Sequence, residues 1–142
     1  CSSQTRGLFG GGGTYSNVIQ YITIASTGNA TDFGDLTSAR DLLGSCSSST
    51  LGVFGGGTTG SVVSTIDYVT IATLGNASSF GSLTVARSHI TGCASGRVGM
   101  FCGNSTVMDY IEFATLGDAS DFGDLSTVRS DLSSCSNSHG GL

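Results

Sequence analysis

The sequence predicts an all-β fold built from three tandem copies of one unit of about 45 residues. Two observations carry this. Cysteines, aromatics, glycines and arginines recur at fixed offsets along the whole chain. Between them lie short runs rich in β-branched and aromatic residues, punctuated by glycine, as strands require.

The copies align on Cys1, Cys46, Cys93 and Cys135, spaced 45, 47 and 42 residues apart. Eight residues after the first three come Phe9, Phe54 and Phe101. Glycine follows each phenylalanine, as Gly10–Gly13, as Gly55–Gly57, and more weakly as Cys102-Gly103. Next is an aromatic anchor, Tyr21, Tyr68 and Tyr110, then Phe33-Gly34, Phe80-Gly81 and Phe122-Gly123, then Leu36, Leu83 and Leu125. Arg40, Arg87 and Arg129 close the units, each six residues before the next cysteine. Length varies mostly in the Gly/Ser/Thr stretch before the tyrosine, where a surface loop belongs.

Each copy reads as four short strands. In the last full copy these are 88–93, 98–102, 107–114 and 120–125. Within 107–114 the residues Val107, Asp109, Ile111 and Phe113 share one face and Met108, Tyr110 and Glu112 the other. Only 36–43 looks helical, and it is too short to argue against strands. The domain is therefore one repeat unit array over 1–142, with copies at about 1–45, 46–92 and 93–134. Residues 135–142 match 1–8 position by position and start a fourth copy.

Composition narrows the function. Charged residues are 11% of the chain, net charge is −5, and Lys, Pro and Trp are absent. Phosphate backbones need clustered Lys and Arg, so nucleic acid is not expected as a partner. No apolar run reaches the roughly 18 residues that span a membrane. A signal-peptide pattern is missing, and Cys1 stands where Met would, so the sequence reads as a processed chain or a piece of a longer one. The expected surface is neutral and hydroxyl-rich.

The placement of Phe54-Gly55-Gly56, Tyr68, Phe80 and Arg87, with equivalents in the other copies, resembles the kelch repeat of β-propellers. The resemblance covers essentially the whole chain and implies four-stranded propeller blades. The family's Trp after the Tyr is missing, and Phe33, Phe80 and Phe122 stand in for its packing role. The wording "TRGLFGGG", "YITIASTGNATDFGDLT" and "CSNSHGG" is similar to repeat proteins of tailed bacteriophages, which implies a virion structural protein such as a tail fiber or another exposed appendage. A three-fold β-trefoil or β-prism is the alternative, since each also uses three four-stranded units. Propellers have about four to eight blades. Three copies therefore predict completion by a homo-oligomer or by other virion proteins, as a six-bladed ring of two chains or a head-to-tail filament.

Candidate chemistry is sparse, and the reading is of a non-enzyme with no cofactor. Arg40, Arg87 and Arg129 bond backbone carbonyls or a nearby Asp, or else form a ligand-facing ring. Four cysteines share one repeat position and read as small buried side chains. The hairpin expected near 95–97 places Cys93 opposite about Val98, too far from Cys102 for a disulfide. The cysteines lack zinc spacing. Asp118, Asp121 and Asp124, with Asp32 and Asp35, suit turn caps better than Ca²⁺, because Ser79 and Ser82 replace them in the second copy. His89 and His139 occupy unrelated repeat positions and adjoin no nucleophile motif. Asn29, Asn76 and Asn104 fit the glycosylation sequon, and turn chemistry explains the first two equally well. The hydroxyl-rich surface suits glycan contact through hydrogen bonds, and it suits simple solubility just as well. The alternatives are a secreted carbohydrate-binding lectin with one shallow site per repeat, and a subunit of an extracellular filament.

Overall fold

A computed structural model describes residues 1–136 as strands and loops, with no helix among them. His139 and the rest of 137–142 lie outside the described residues. Strands β1 (Arg6–Gly10), β2 (Val18–Thr23) and β3 (Thr31–Asp35) form sheet I. Strands β4 (Gly44–Ser47), β5 (Leu51–Gly55), β6 (Thr65–Thr70) and β7 (Ser78–Ser82) form sheet II. Strands β8 (Thr91–Ala94), β9 (Val98–Cys102), β10 (Ser105–Glu112) and β11 (Ser120–Arg129) form sheet III. All three sheets are antiparallel meanders, and none closes on itself among the described residues.

The sheets correspond to the repeats, with a small offset. Each unit starts two residues ahead of its cysteine, at Gly44 or Thr91. Two strands differ from expectation in extent. The strand expected at 88–93 begins at Thr91, because His89 takes a left-handed conformation with φ 55°. The last strand continues past Leu125 to Arg129.

A register shift recurs between the third and fourth strands of the units, at Ile19/Gln20, Ile66/Asp67 and Met108/Asp109. A bulge there increases local twist and re-aims the side chain beside it. Opposite it stands Gly34, Gly81 or Gly123. A side chain at Gly81 would place its Cβ 2.1 Å from the Gly117 carbonyl oxygen, so this strand can approach its neighbour only without one.

Alternation assigns one face of each sheet to one neighbour. Leu8, Ile19, Phe33 and Leu36 of the first unit pack on Phe54, Val69 and Ile71 of the second. Val53, Ile66, Phe80 and Leu83 of the second pack on Phe101, Ile111 and Phe113 of the third. Sheet II is thus covered on both faces. Sheets I and III each keep one uncovered face, which exposes Phe9 by 59% on sheet I and Phe122 by 58% on sheet III. The equivalent Phe54 and Phe80 are 1% and 3% exposed.

The repeated Tyr and Phe meet edge to face, as Tyr21–Phe33, Tyr68–Phe80 and Tyr110–Phe122, with ring centroids 6.0, 5.9 and 6.1 Å apart. This T-shaped contact sets the ring's positive edge against a negative face.

Candidate functional site: the junctions between sheets

The recurrent arginines sit where one sheet hands over to the next. Arg40 leaves the loop after β3 and enters the core between sheets I and II with no exposed surface. Its Nη1 donates to the Thr65 carbonyl at 2.8 Å, and its Nη2 to the Phe54 carbonyl at 3.2 Å and to Asp67 Oδ2 at 3.0 Å. Asp67 also accepts from Thr37, at Oδ2 from the backbone N–H at 3.1 Å and at Oδ1 from the hydroxyl at 2.7 Å. Burial lowers the Arg40 pKa, and the Asp67 carboxylate opposes that shift.

The second junction repeats the first. Arg87 Nη2 donates to the Phe101 carbonyl at 3.3 Å and to Asp109 Oδ2 at 2.7 Å, while Nη1 donates to the Val107 carbonyl. Thr84 bonds Asp109 through its N–H at 3.2 Å and its hydroxyl at 2.5 Å. Both carboxylates are fully buried and every oxygen is used. Each pair is a single Nη2–Oδ2 contact. The threonine bonds to the carboxylate, together with the arginine bonds to backbone carbonyls, are what make a buried ion pair tolerable. The buried Nε of Arg40 and of Arg87 has no hydrogen-bond partner among the described residues.

Arg40 and Arg87 therefore serve as sheet-to-sheet clamps in this geometry. Arg129 is exposed on sheet III, where its backbone carbonyl accepts from Asn104 N–H at 2.5 Å. The acceptor position of Asp67 and Asp109 is Gln20 in sheet I, and Gln20 is exposed. The two aspartates escaped the sequence reading as clamp partners. Their signal was present: an acidic residue immediately before the repeat tyrosine, on a strand face otherwise apolar, in two of three units.

Asn76 forms a second link. Its Oδ1 accepts from the Asp35 N–H at 3.0 Å, and the equivalent Asp118 Oδ1 accepts from the Ser82 N–H at 2.9 Å. Asp121 Oδ1 accepts from the Gly123 N–H within β11 at 2.9 Å. Among the described residues, no group of three or more His, Cys, Asp or Glu side chains is arranged to hold a metal ion. Asn29, Asn76 and Asn104 are all exposed, and Asn104 adopts φ 53°. His89 shares its left-handed conformation with the equivalent Leu42 and Asp131, so that position serves a turn.

The cysteine column fills space between units. A Cβ at Gly52 would sit 3.0 Å from Cys1 Sγ, and one at Gly99 would sit 2.6 Å from Cys46 Sγ. Each sulfur thus occupies the gap above a glycine of the following unit. Only Cys46 is buried, and burial pushes its thiol pKa up, with Cys93 adding to the shift. Cys135 is exposed, which departs from the expected buried column. Cys93 pairs with Met100 rather than with Val98, which brings Cys102 two residues from its cross-strand neighbour. All five cysteines are free thiols.

Two shallow clefts lie at equivalent repeat positions. One, of about 190 Å³, is lined by Tyr68, Thr73, Leu74 and Asn76. The other, of about 290 Å³, is lined by Tyr110, Thr115, Leu116 and Asp118. Each presents hydroxyls and an exposed leucine, and the second adds the carboxylates of Glu112 and Asp118. No protein-family model matches the chain, and no curated protein matches it.

Proposed function

We propose that the chain is a non-enzymatic structural protein of a phage virion, on a tail or exposed appendage, whose three sheets are kelch-like propeller blades. The observation that carries this reading is the fate of the recurrent charges. Arg40, Arg87, Asp67 and Asp109 are consumed in holding sheet against sheet. What remains outward is mostly neutral and hydroxyl-bearing. Repeated clefts beside Tyr68 and Tyr110 support contact with host-surface glycans, since sugars bind through hydroxyl hydrogen bonds and apolar ring faces.

A secreted lectin is the second reading, and it draws on the same twin clefts. An extracellular filament subunit is the third, favoured by the uncovered faces of sheets I and III. Two measurements separate them. The virion reading expects genes for tail or capsid parts beside this one, and their absence overturns it. Glycan recognition expects array binding that falls at least tenfold in Thr73→Ala/Leu74→Ala/Thr115→Ala/Leu116→Ala. Binding unchanged in that variant removes the clefts from the account.

A further inference from the structure

We infer that the chain associates head to tail with a second copy of itself, the open face of sheet III covering the open face of sheet I, so that two copies close a six-bladed ring. This rests on the blade reading of the sheets, and not on the virion or glycan reading.

The covering group is visible inside the chain. The face left open on sheet III is the face that sheets I and II present to their successors. Its Phe122, Leu125 and Arg129 hold the repeat positions of Phe80, Leu83 and Arg87, with Arg129 at the end of β11 rather than in a loop. The face left open on sheet I carries Phe9, Ile22 and Ile24 where sheet II carries Phe54, Val69 and Ile71. Each open face is thus the repeat-equivalent counterpart of the other.

Strand content points the same way. Sheets II and III have four strands, and sheet I has three. In sheet II the first strand pairs Gly44 with Gly55 and Ser45 with Phe54. At this edge sheet I has the Ser2–Gly7 bridge and the mutual Cys1–Leu8 hydrogen bonds, the equivalents of Ser47–Gly52 and Cys46–Val53. The two rungs it lacks correspond in the repeat to Ser133 and Ser134.

That segment lies beside β8, the first strand of sheet III. Gly92 lies against the Ser45 carbonyl, and Ser134, the next equivalent, donates to the Gly92 carbonyl at 2.8 Å. Ser134 also shares a 2.7 Å hydroxyl bond with Thr91. A segment at the first-strand position of the repeat and a sheet without its first strand complete each other across two copies. Cys135 and the second copy's Cys1 hold the same repeat position, so one yields when the strand enters whole.

The joint lacks both locks of the internal junctions. Arg129 faces Gln20 instead of an aspartate. Phe9 meets Cys102 where Phe54 meets Gly10, and a Cβ at Gly10 would lie 2.8 Å from that ring. The association is therefore reversible, and restoring the locks strengthens it.

Sedimentation velocity over a concentration series tests this. The 142-residue chain is expected to shift reversibly from one copy to two. Gln20→Asp tightens the pair at least tenfold, and Cys102→Gly tightens it further. Adding Arg129→Ala to Gln20→Asp removes that gain, because the new carboxylate loses its partner. Gln20 and Arg129 are exposed, so folding tolerates both changes. The inference is overturned if wild type and Gln20→Asp both stay monomeric at about 1 mM chain, where even a millimolar affinity shows. It is equally overturned by masses that run past two copies, or by a gain that ignores Arg129→Ala. Loss of glycan binding or of tail-gene neighbours leaves these masses untouched.

Discussion

Arg40 and Asp67 meet at 3.0 Å with neither side chain exposed, and Arg87 and Asp109 repeat that contact at 2.7 Å. Each arginine comes from the end of one unit and each aspartate from a central strand of the next. The pair fixes which sheet follows which and at what register. An apolar contact between the same sheets would slide more easily, since burial is non-directional.

Removing one partner strands the other charge in the core. Asp67→Ala or Asp109→Ala is expected to cost about 3–5 kcal/mol, read from urea unfolding. Arg40→Met with Asp67→Leu removes both charges and should recover most of that loss. Arg129→Ala, at the equivalent but exposed position, should stay within about 0.5 kcal/mol of wild type at concentrations where the chain is monomeric. Equal losses at all three arginines would refute the clamp.

The glycine opposite each bulge supplies a second graded series. A Cβ at Gly34 would fall 2.4 Å from the Gly75 carbonyl oxygen, and one at Gly81 2.1 Å from that of Gly117, whereas Gly123 meets nothing within 4 Å. Backbone cannot retreat as a flexible side chain does. Gly34→Ala and Gly81→Ala are expected to cost about 3 kcal/mol or more. Gly123 has φ 137°, so Gly123→Ala still pays backbone strain, on the order of 1 kcal/mol, and no collision. Thermal unfolding of the three variants under identical conditions checks the ranking.

Much of this architecture was legible in the sequence. The spacing of Phe54, Tyr68, Phe80 and Arg87 located the units, and period-two alternation sorted Val107–Phe113 into faces. Alternation says which side chains share a face, but not which face is covered. Phe33, Phe80 and Phe122 are one letter in one frame, yet the third is exposed because no sheet packs on it among the described residues. Cross-strand register was misjudged at Cys93, because a short hairpin's turn can shift pairing by two residues without changing any face. The role of Asp67 stayed hidden for a related reason. Its partner Arg40 lies 27 residues away, and only stacking of the sheets brings them together.

Burial differences among equivalent aromatics give a third prediction. Phe80 packs on Tyr68 inside the core between sheets II and III, and Phe122 packs on Tyr110 at an open face. Phe80→Ala should cost about 3–5 kcal/mol. Phe122→Ala loses the equivalent ring contact but little burial, so its cost in dilute solution should be under about 1.5 kcal/mol, the value of an aromatic pair. Comparable losses for both would mean that the sheet III face is covered even in the monomer.

Alkaline pH probes the cysteine column. The Cys46 thiol is wholly buried and its pKa lies above the ordinary 9.0, chiefly because burial penalises the thiolate. The folded chain therefore holds a proton that the unfolded chain releases. Its contribution to stability is complete below about pH 9 and declines as pH rises past that point, by up to about 1.4 kcal/mol per pH unit. Cys46→Ala removes the titrating group and should flatten this alkaline limb of the unfolding free energy, while lowering stability at pH 7 by the lost packing over Gly99. The less buried Cys102 thiol, also raised by burial, leaves a shallower residual slope in that variant. An alkaline limb of undiminished steepness in Cys46→Ala would show that the sulfur is reachable by water in the folded chain.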